Sequence, residues 1–137
     1  MSNRVSRIDR VVIRSANVPA MIAFYCDVLG CAKEREVEGL GLVQLRTGAS
    51  LIDIVDAVGE LGCMGGPPPG EDARNMDHFC MRVDSWDEGA IRAHLLVNDV
   101  DAGPTKKRYG AEGAGPSIYL SDPDGNAVGL KGPSDKE

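Results

Sequence analysis

Ile8-Asp9-Arg10-Val11-Val12-Ile13-Arg14 and Met76-Asp77-His78-Phe79-Cys80-Met81-Arg82 decide the fold, because they are one pattern written twice. Both read apolar-Asp-basic-apolar-apolar-apolar-Arg, and the second begins 68 residues after the first, almost half of a 137-residue chain. A repeat of that period is one supersecondary unit copied once, and two copies pack about a pseudo-dyad. The length is that of one domain. It divides into a first module over about 7–57, a linker over about 58–74 and a second module over about 75–131.

Working outward from the two heptapeptides, each copy continues alike. The first strand, over about 7–14, runs into Asn17, an N-cap residue, and then Val18-Pro19, where proline suits a first helical turn. Val18, Met21, Ile22, Tyr25, Val28 and Leu29 recur at helical spacing, and Gly30 ends the run. In the second copy a strand over about 76–83 leads to Ser85-Trp86-Asp87-Glu88, in which Ser85 and Glu88 have capping-box spacing. That spacing predicts a helix to about Val97, with Asn98 near its end.

β-type segments follow each helix. Gly41–Leu45 and Leu51–Val55 flank a short turn, and Ser117–Leu120 and Asn126–Lys131 flank Asp122-Pro123-Asp124-Gly125, a tight-turn sequence. The glycine-rich stretch from Gly103 to Pro116 reads as a poorly regular strand or a loop that carries the basic run Lys106-Lys107-Arg108. Each unit thus reads β-α-β-β with room for one more strand after the helix, and two such units give an α+β domain.

Strand parity sorts the side chains. Val11 and Ile13 oppose Arg10, Val12 and Arg14; Phe79 and Met81 oppose His78, Cys80 and Arg82; Asp53 stands opposite Ile52 and Ile54. The more apolar face packs under each helix, which turns Arg10, Asp53 and His78 to the other side. Polar groups in apolar strands need partners, so these three call for an explanation.

Composition narrows the partners. Fifteen basic against 21 acidic residues leave a net charge of −6, and the acidic excess falls in residues 51–100. Such a chain is repelled by nucleic acid and by anionic membranes, and an aromatic content of 4% offers no base-stacking surface. The only histidines, His78 and His94, are too few for a zinc site built from several histidines. No run is long and apolar enough to span a membrane, and no leader-like segment precedes the first strand, so the expected location is the cytoplasm. Cys26, Cys31, Cys63 and Cys80 form no C-x-x-C pair and read as reduced thiols. Serine-nucleophile elbows, P-loops, H-E-x-x-H and G-x-G-x-x-G are all lacking.

The run Ala23-Phe24-Tyr25-Cys26-Asp27-Val28-Leu29-Gly30, the strand Asp77-His78-Phe79 and the stretch Ser117-Ile118-Tyr119-Leu120-Ser121-Asp122-Pro123-Asp124-Gly125-Asn126 resemble the vicinal oxygen chelate superfamily. That superfamily includes glyoxalase I, bleomycin-resistance proteins, extradiol dioxygenases and fosfomycin-resistance enzymes. The resemblance covers about residues 7–131 and implies two tandem βαβββ modules forming a cup-shaped half-barrel, commonly in a homodimer. In metal-using members a divalent ion sits in the cup on four side chains. Carried onto this chain, those positions are Arg10, Asp53, His78 and Gly129. Only Asp53 and His78 could ligate: a guanidinium repels a dication, and glycine has no side chain.

The expectation is therefore a family protein that binds a small anionic molecule without the usual metal. Arg10 stands in the ion's place, pairing with Asp53 or receiving the ligand, and Tyr119 and Arg108 contact it from the rim together with His78. The alternative is a divalent-metal-dependent lyase, dioxygenase or resistance enzyme with replacement ligands such as Gln44. A further version is metal-free chemistry, with His78 as the base and Arg10 steadying an oxyanion. Arg14, Arg82 and Tyr109 are further rim positions, Trp86 is expected to pack and His94 to lie on the surface.

Overall fold

The computed structural model describes residues 4–135, which form two compact units, one up to Pro69 and one from Gly70. The first contains β1 (Arg10–Ser15), α1 (Val18–Ala23), a π-helical turn (Phe24–Val28), β2 (Ala32–Val37), β3 (Leu42–Thr47) and β4 (Ser50–Asp56). Its sheet has the order β1-β4-β3-β2, with β1 parallel to β4 and the other pairs antiparallel. The second contains β5 (His78–Arg82), α2 (Glu88–Val97), β6 (Lys106–Gly110), β7 (Gly113–Ser121) and β8 (Ala127–Lys131). Its order is β5-β8-β7-β6, with the same parallel and antiparallel pairings. Each unit is thus βαβββ, and the strand between helix and hairpin that the first repeat left room for is β2.

In the first unit Asn17 caps α1 by accepting the Ala20 amide at 3.3 Å, with proline in the opening turn. Met21, Phe24 and Tyr25 fall on one helical stripe and are buried, together with Ile13, Val43, Leu45, Ile52 and Ile54 from the sheet. Gly30, at φ +81°, supplies the left-handed residue that ends the helical run. In the second unit Ile118, Leu120, Val128 and Leu130 are the buried strand residues, and Leu95 is the residue that α2 buries.

Three local expectations change. The Ser85/Glu88 capping box does not form: Asp87 is the N-cap, its carboxylate accepting the Ala90 amide at 3.0 Å, while Glu88 pairs with Arg92 one turn on at 3.1 Å. The first strands begin later than the apolar pattern suggests, at Arg10 and His78, because pairing with β4 and β8 starts there.

The glycine-rich stretch is a regular hairpin, and Lys106-Lys107-Arg108 lies within strand β6, not in a loop. Its glycines make room rather than disorder. A Cβ on Gly113 would come within 2.7 Å of Ser134 Oγ, and one on Gly115 within 2.5 Å of the Pro133 carbonyl oxygen, so the segment after β8 packs where side chains are missing. The tight turn after β7 is held from within. Asp122, buried, accepts the amides of Asp124 and Asn126 at 3.0 and 2.9 Å and the Asn126 side-chain amide at 2.8 Å. Among the described residues no helix is long and apolar enough to cross a membrane.

Candidate functional site

Each sheet has one face packed under its helix and one left open. On the first, parity and register bring Arg10, Asp53 and Gln44 to the open side. Asp53 is only 3% exposed, a position where an unpartnered carboxylate would be costly. Gln44 faces it across β3 and β4, its Nε2 donating to both carboxylate oxygens at 3.2 and 3.1 Å. Arg10 Nε stands 3.5 Å from Asp53 Oδ2, while its Nη1 reaches Asp9 at 2.9 Å. Arg35 donates to Gln44 Oε1 at 3.1 Å. The result is a connected chain, Arg35 to Gln44 to Asp53 to Arg10, in which every polar atom aimed at Asp53 is a donor.

Arg14 shares the strand face of Arg10 but has another task. Its guanidinium collects the carbonyls of Ala57, Gly62, Gly65, Gly66 and Pro67 at 2.5–3.5 Å. A Cβ on Gly65 would come within 2.6 Å of Arg14 Nε, so the loop after β4 is shaped around this side chain. Nothing in the apolar-Asp-basic pattern signals that use.

On the second sheet His78, Cys80 and Arg82 alternate on the open side of β5, and Tyr119 pairs with Gly129 across β7 and β8. Tyr119 Oη lies 3.1 Å from His78 Nε2, and the two rings meet edge to face with centroids 5.2 Å apart. His78 Nδ1 is 2.5 Å from the carboxylate of Asp77. Because that carboxylate only accepts, Nδ1 carries the proton in the neutral ring, and Nε2 accepts from the phenol. Arg108 lies over the Tyr119 ring with its Cζ 4.3 Å from the centroid, fixed by Nη1 donating to Ser117 Oγ at 2.6 Å. The sequence-level grouping of His78, Tyr119 and Arg108 is therefore one physical cluster. Arg82 is engaged elsewhere, 2.5 Å from Glu112, whose carboxyl it holds below the usual carboxylate range. Tyr109 points into solvent, 86% exposed, and Trp86 packs against Gly132. Burial pushes the thiol of Cys80 up, against the opposing pull of Lys131 and Arg108.

Residues 7–130 match the family model of the Glyoxalase/Bleomycin resistance protein/Dioxygenase superfamily. The chain belongs to this superfamily. An integron cassette protein from the mobile metagenome of V. cholerae is 27% identical over 94% of this chain and 96% of its own, with a TM-score of 0.75. A lactoylglutathione lyase from Agrobacterium tumefaciens is 21% identical over 93% of this chain and 94% of its own, with a TM-score of 0.68. An antibiotic-binding protein from a Streptomyces species is 23% identical over 95% of this chain and 98% of its own, with a TM-score of 0.69. The last two share the fold, and their names show that the glyoxalase fold hosts both a lyase and a binder, so the fold does not choose between these tasks. No curated protein sequence matches the chain.

Within the glyoxalase superfamily the four metal-ligand positions invite a test on this chain's own side chains. In the first unit Arg10 cannot ligate, and the oxygens of Asp53 are occupied by Gln44 and Arg10. The one side-chain oxygen of Gln44 already accepts from Arg35, a bond that a ligated ion would compete with. In the second unit Gly129 offers no side-chain donor, and a Cβ there would stand 3.2 Å from Tyr119 Cε1 and 3.1 Å from Cys80 Sγ, pressing on an aromatic ring and a thiol. Among the described residues no three His, Cys, Asp or Glu side chains gather in a way that could hold an ion. The donor set does not fit the superfamily's four-ligand site.

Proposed function

We propose that this superfamily member binds a small anionic molecule on an open sheet face, without a divalent ion at the family position. One observation carries the reading: in a chain of net charge −6, guanidinium groups stand on both open faces, Arg10 beside Asp53 and Arg108 over Tyr119. Arg10 still exposes half of its side chain while touching Asp53. It therefore has donors left for a carboxylate or phosphoryl group. The protein works in the cytoplasm as a homodimer, an assembly that size-exclusion chromatography with light scattering tests.

The experiment is a thermal-unfolding screen against small carboxylates and phosphate esters, repeated in Arg10→Gln and Arg108→Gln. A true ligand raises the midpoint with the logarithm of its concentration, the rise shrinks with added salt, and one or both substitutions abolish it. A wild-type chain that no anion stabilises refutes the reading.

A second reading rests on a separate observation, the placement of His78 between Asp77 and the Tyr119 phenol. Asp77 holds the ring in the tautomer whose Nε2 is a base, which is how a metal-free proton transfer would be arranged. Turnover of a bound ligand that disappears in His78→Ala, with binding kept, identifies an enzyme. Stoichiometric binding without turnover identifies a sequestering protein.

A further inference from the structure

Lys131 ends β8 and is buried, 7% exposed, an unusual state for an ammonium. Register puts it on the open side of the second sheet, paired with Arg82 on one flank and Ser117 on the other. Its stem lies along the glycines of the hairpin. A Cβ on Gly110 would meet Lys131 Cδ and Cε at 3.1 Å, and one on Gly115 would meet Nζ at 3.2 Å. The ammonium donates to the Gly132 carbonyl at 3.4 Å and forms no ion pair among the described residues. Glu112, an acid within its electrostatic reach, is committed to Arg82.

Arg108, on the same face, is in a similar position: its partners are the neutral oxygens of Ser117 and the ring of Tyr119. Cys80 is no ready counter-charge to either, since its thiol is pushed up from the ordinary thiol value. Two cations thus share one face, neither of them ion-paired to a carboxylate among the described residues, and a buried charge without a direct counter-charge is costly. An oxyanion arriving from outside removes that cost.

We propose that Lys131, together with Arg108, anchors the terminal oxyanion of the ligand, a carboxylate or a phosphoryl group, on the open face of the second sheet. This rests on the anion-binding reading above and adds to it a residue and a ligand group. Burial of the ammonium restricts its partner to a terminal oxygen and excludes bulky neutral groups.

The test is calorimetric titration of the full chain with inorganic phosphate and with acetate at fixed ionic strength, in the wild type, Lys131→Met and Arg108→Gln. The tighter of the two anions names the ligand group. In Lys131→Met the binding constant falls at least about tenfold, while the unfolding midpoint in anion-free buffer is unchanged or higher, since a neutral side chain of similar length fills the glycine channel. Lys131→Gln is expected to give the same result and serves if the methionine variant does not fold. Binding lost in Arg108→Gln but kept in Lys131→Met overturns this inference and leaves the anion-binding reading standing. A lower midpoint with binding intact makes Lys131 a structural staple and overturns it too. Failure of the wild type to bind either anion at millimolar concentration overturns both.

Discussion

Replacing Gln44 by methionine tests the wiring of the first open face. Gln44 Nε2 is the donor that meets both oxygens of the buried Asp53 carboxylate, at 3.2 and 3.1 Å. Methionine keeps the length and removes the donor. A hydrogen bond to a buried charged acceptor is worth roughly 1.5–3 kcal/mol, so the loss should cost about 2 kcal/mol. For a chain of this length melting as one unit, that is a fall of about 7 °C in midpoint. The comparison that gives the number meaning is Arg10→Met. Arg10 Nε is farther from the carboxylate, at 3.5 Å, and its side chain is 52% exposed. Solvent screening therefore holds its contribution below about 1 kcal/mol. Urea unfolding followed by far-UV circular dichroism is the assay, because the only tryptophan, Trp86, lies in the other unit and its fluorescence would report there. A cycle with Asp53→Asn should give a coupling between 44 and 53 of about 1–2 kcal/mol. An Arg10→Met cost equal to or larger than that of Gln44→Met would refute the reasoning, as would a coupling near zero.

Three further outcomes follow from the same geometry. Gly129→Ala presses on Tyr119 and Cys80 at 3.2 and 3.1 Å, so it should cost about 1–3 kcal/mol and shift the His78 resonances in NMR spectra, whereas Gly129→Glu should add no metal affinity in calorimetry. Arg82 lowers the Glu112 carboxyl, so the stability from that pair is present above the ordinary glutamate range and is lost as pH falls through the lowered value. The destabilisation of Glu112→Gln should accordingly be largest near neutrality and shrink as pH falls below the ordinary glutamate range, as read from urea midpoints. Iodoacetamide at neutral pH should label exposed Cys63 first and Cys31 last, since Cys31 is buried and burial pushes its thiol up; peptide mass mapping reads the order.

Much of this was legible before any coordinates, and the reason is periodicity. The duplicated heptapeptide marks the two modules, and alternation along β1, β4 and β5 is enough to turn Arg10, Asp53 and His78 to the open side. What escaped depends on contacts between residues distant in sequence. The glycines from Gly110 to Gly115 look like disorder until Lys131, Pro133 and Ser134 are seen to fill the space above them. Arg14 looks like a second Arg10, yet it holds a loop about fifty residues away through backbone carbonyls that no composition reveals. Gln44 offers an oxygen to a metal on paper, but Arg35 takes that oxygen and Asp53 takes the amide. The Ser85/Glu88 spacing fits a capping box as well as many real ones do, and Asp87 wins because its short carboxylate reaches the Ala90 amide directly. Lys131, at the end of an apolar strand, carries no local sign that its charge is buried with no ion pair among the described residues.

The central claim, that an open sheet face takes an anion and not the superfamily's divalent ion, meets its most direct test in calorimetric titration of chelator-treated protein with nickel, manganese, zinc and iron(II). The account predicts no stoichiometric binding at micromolar concentration, because a guanidinium stands beside Asp53 and Gly129 offers no side-chain ligand. Stoichiometric micromolar binding that is lost in both Asp53→Ala and His78→Ala would contradict it.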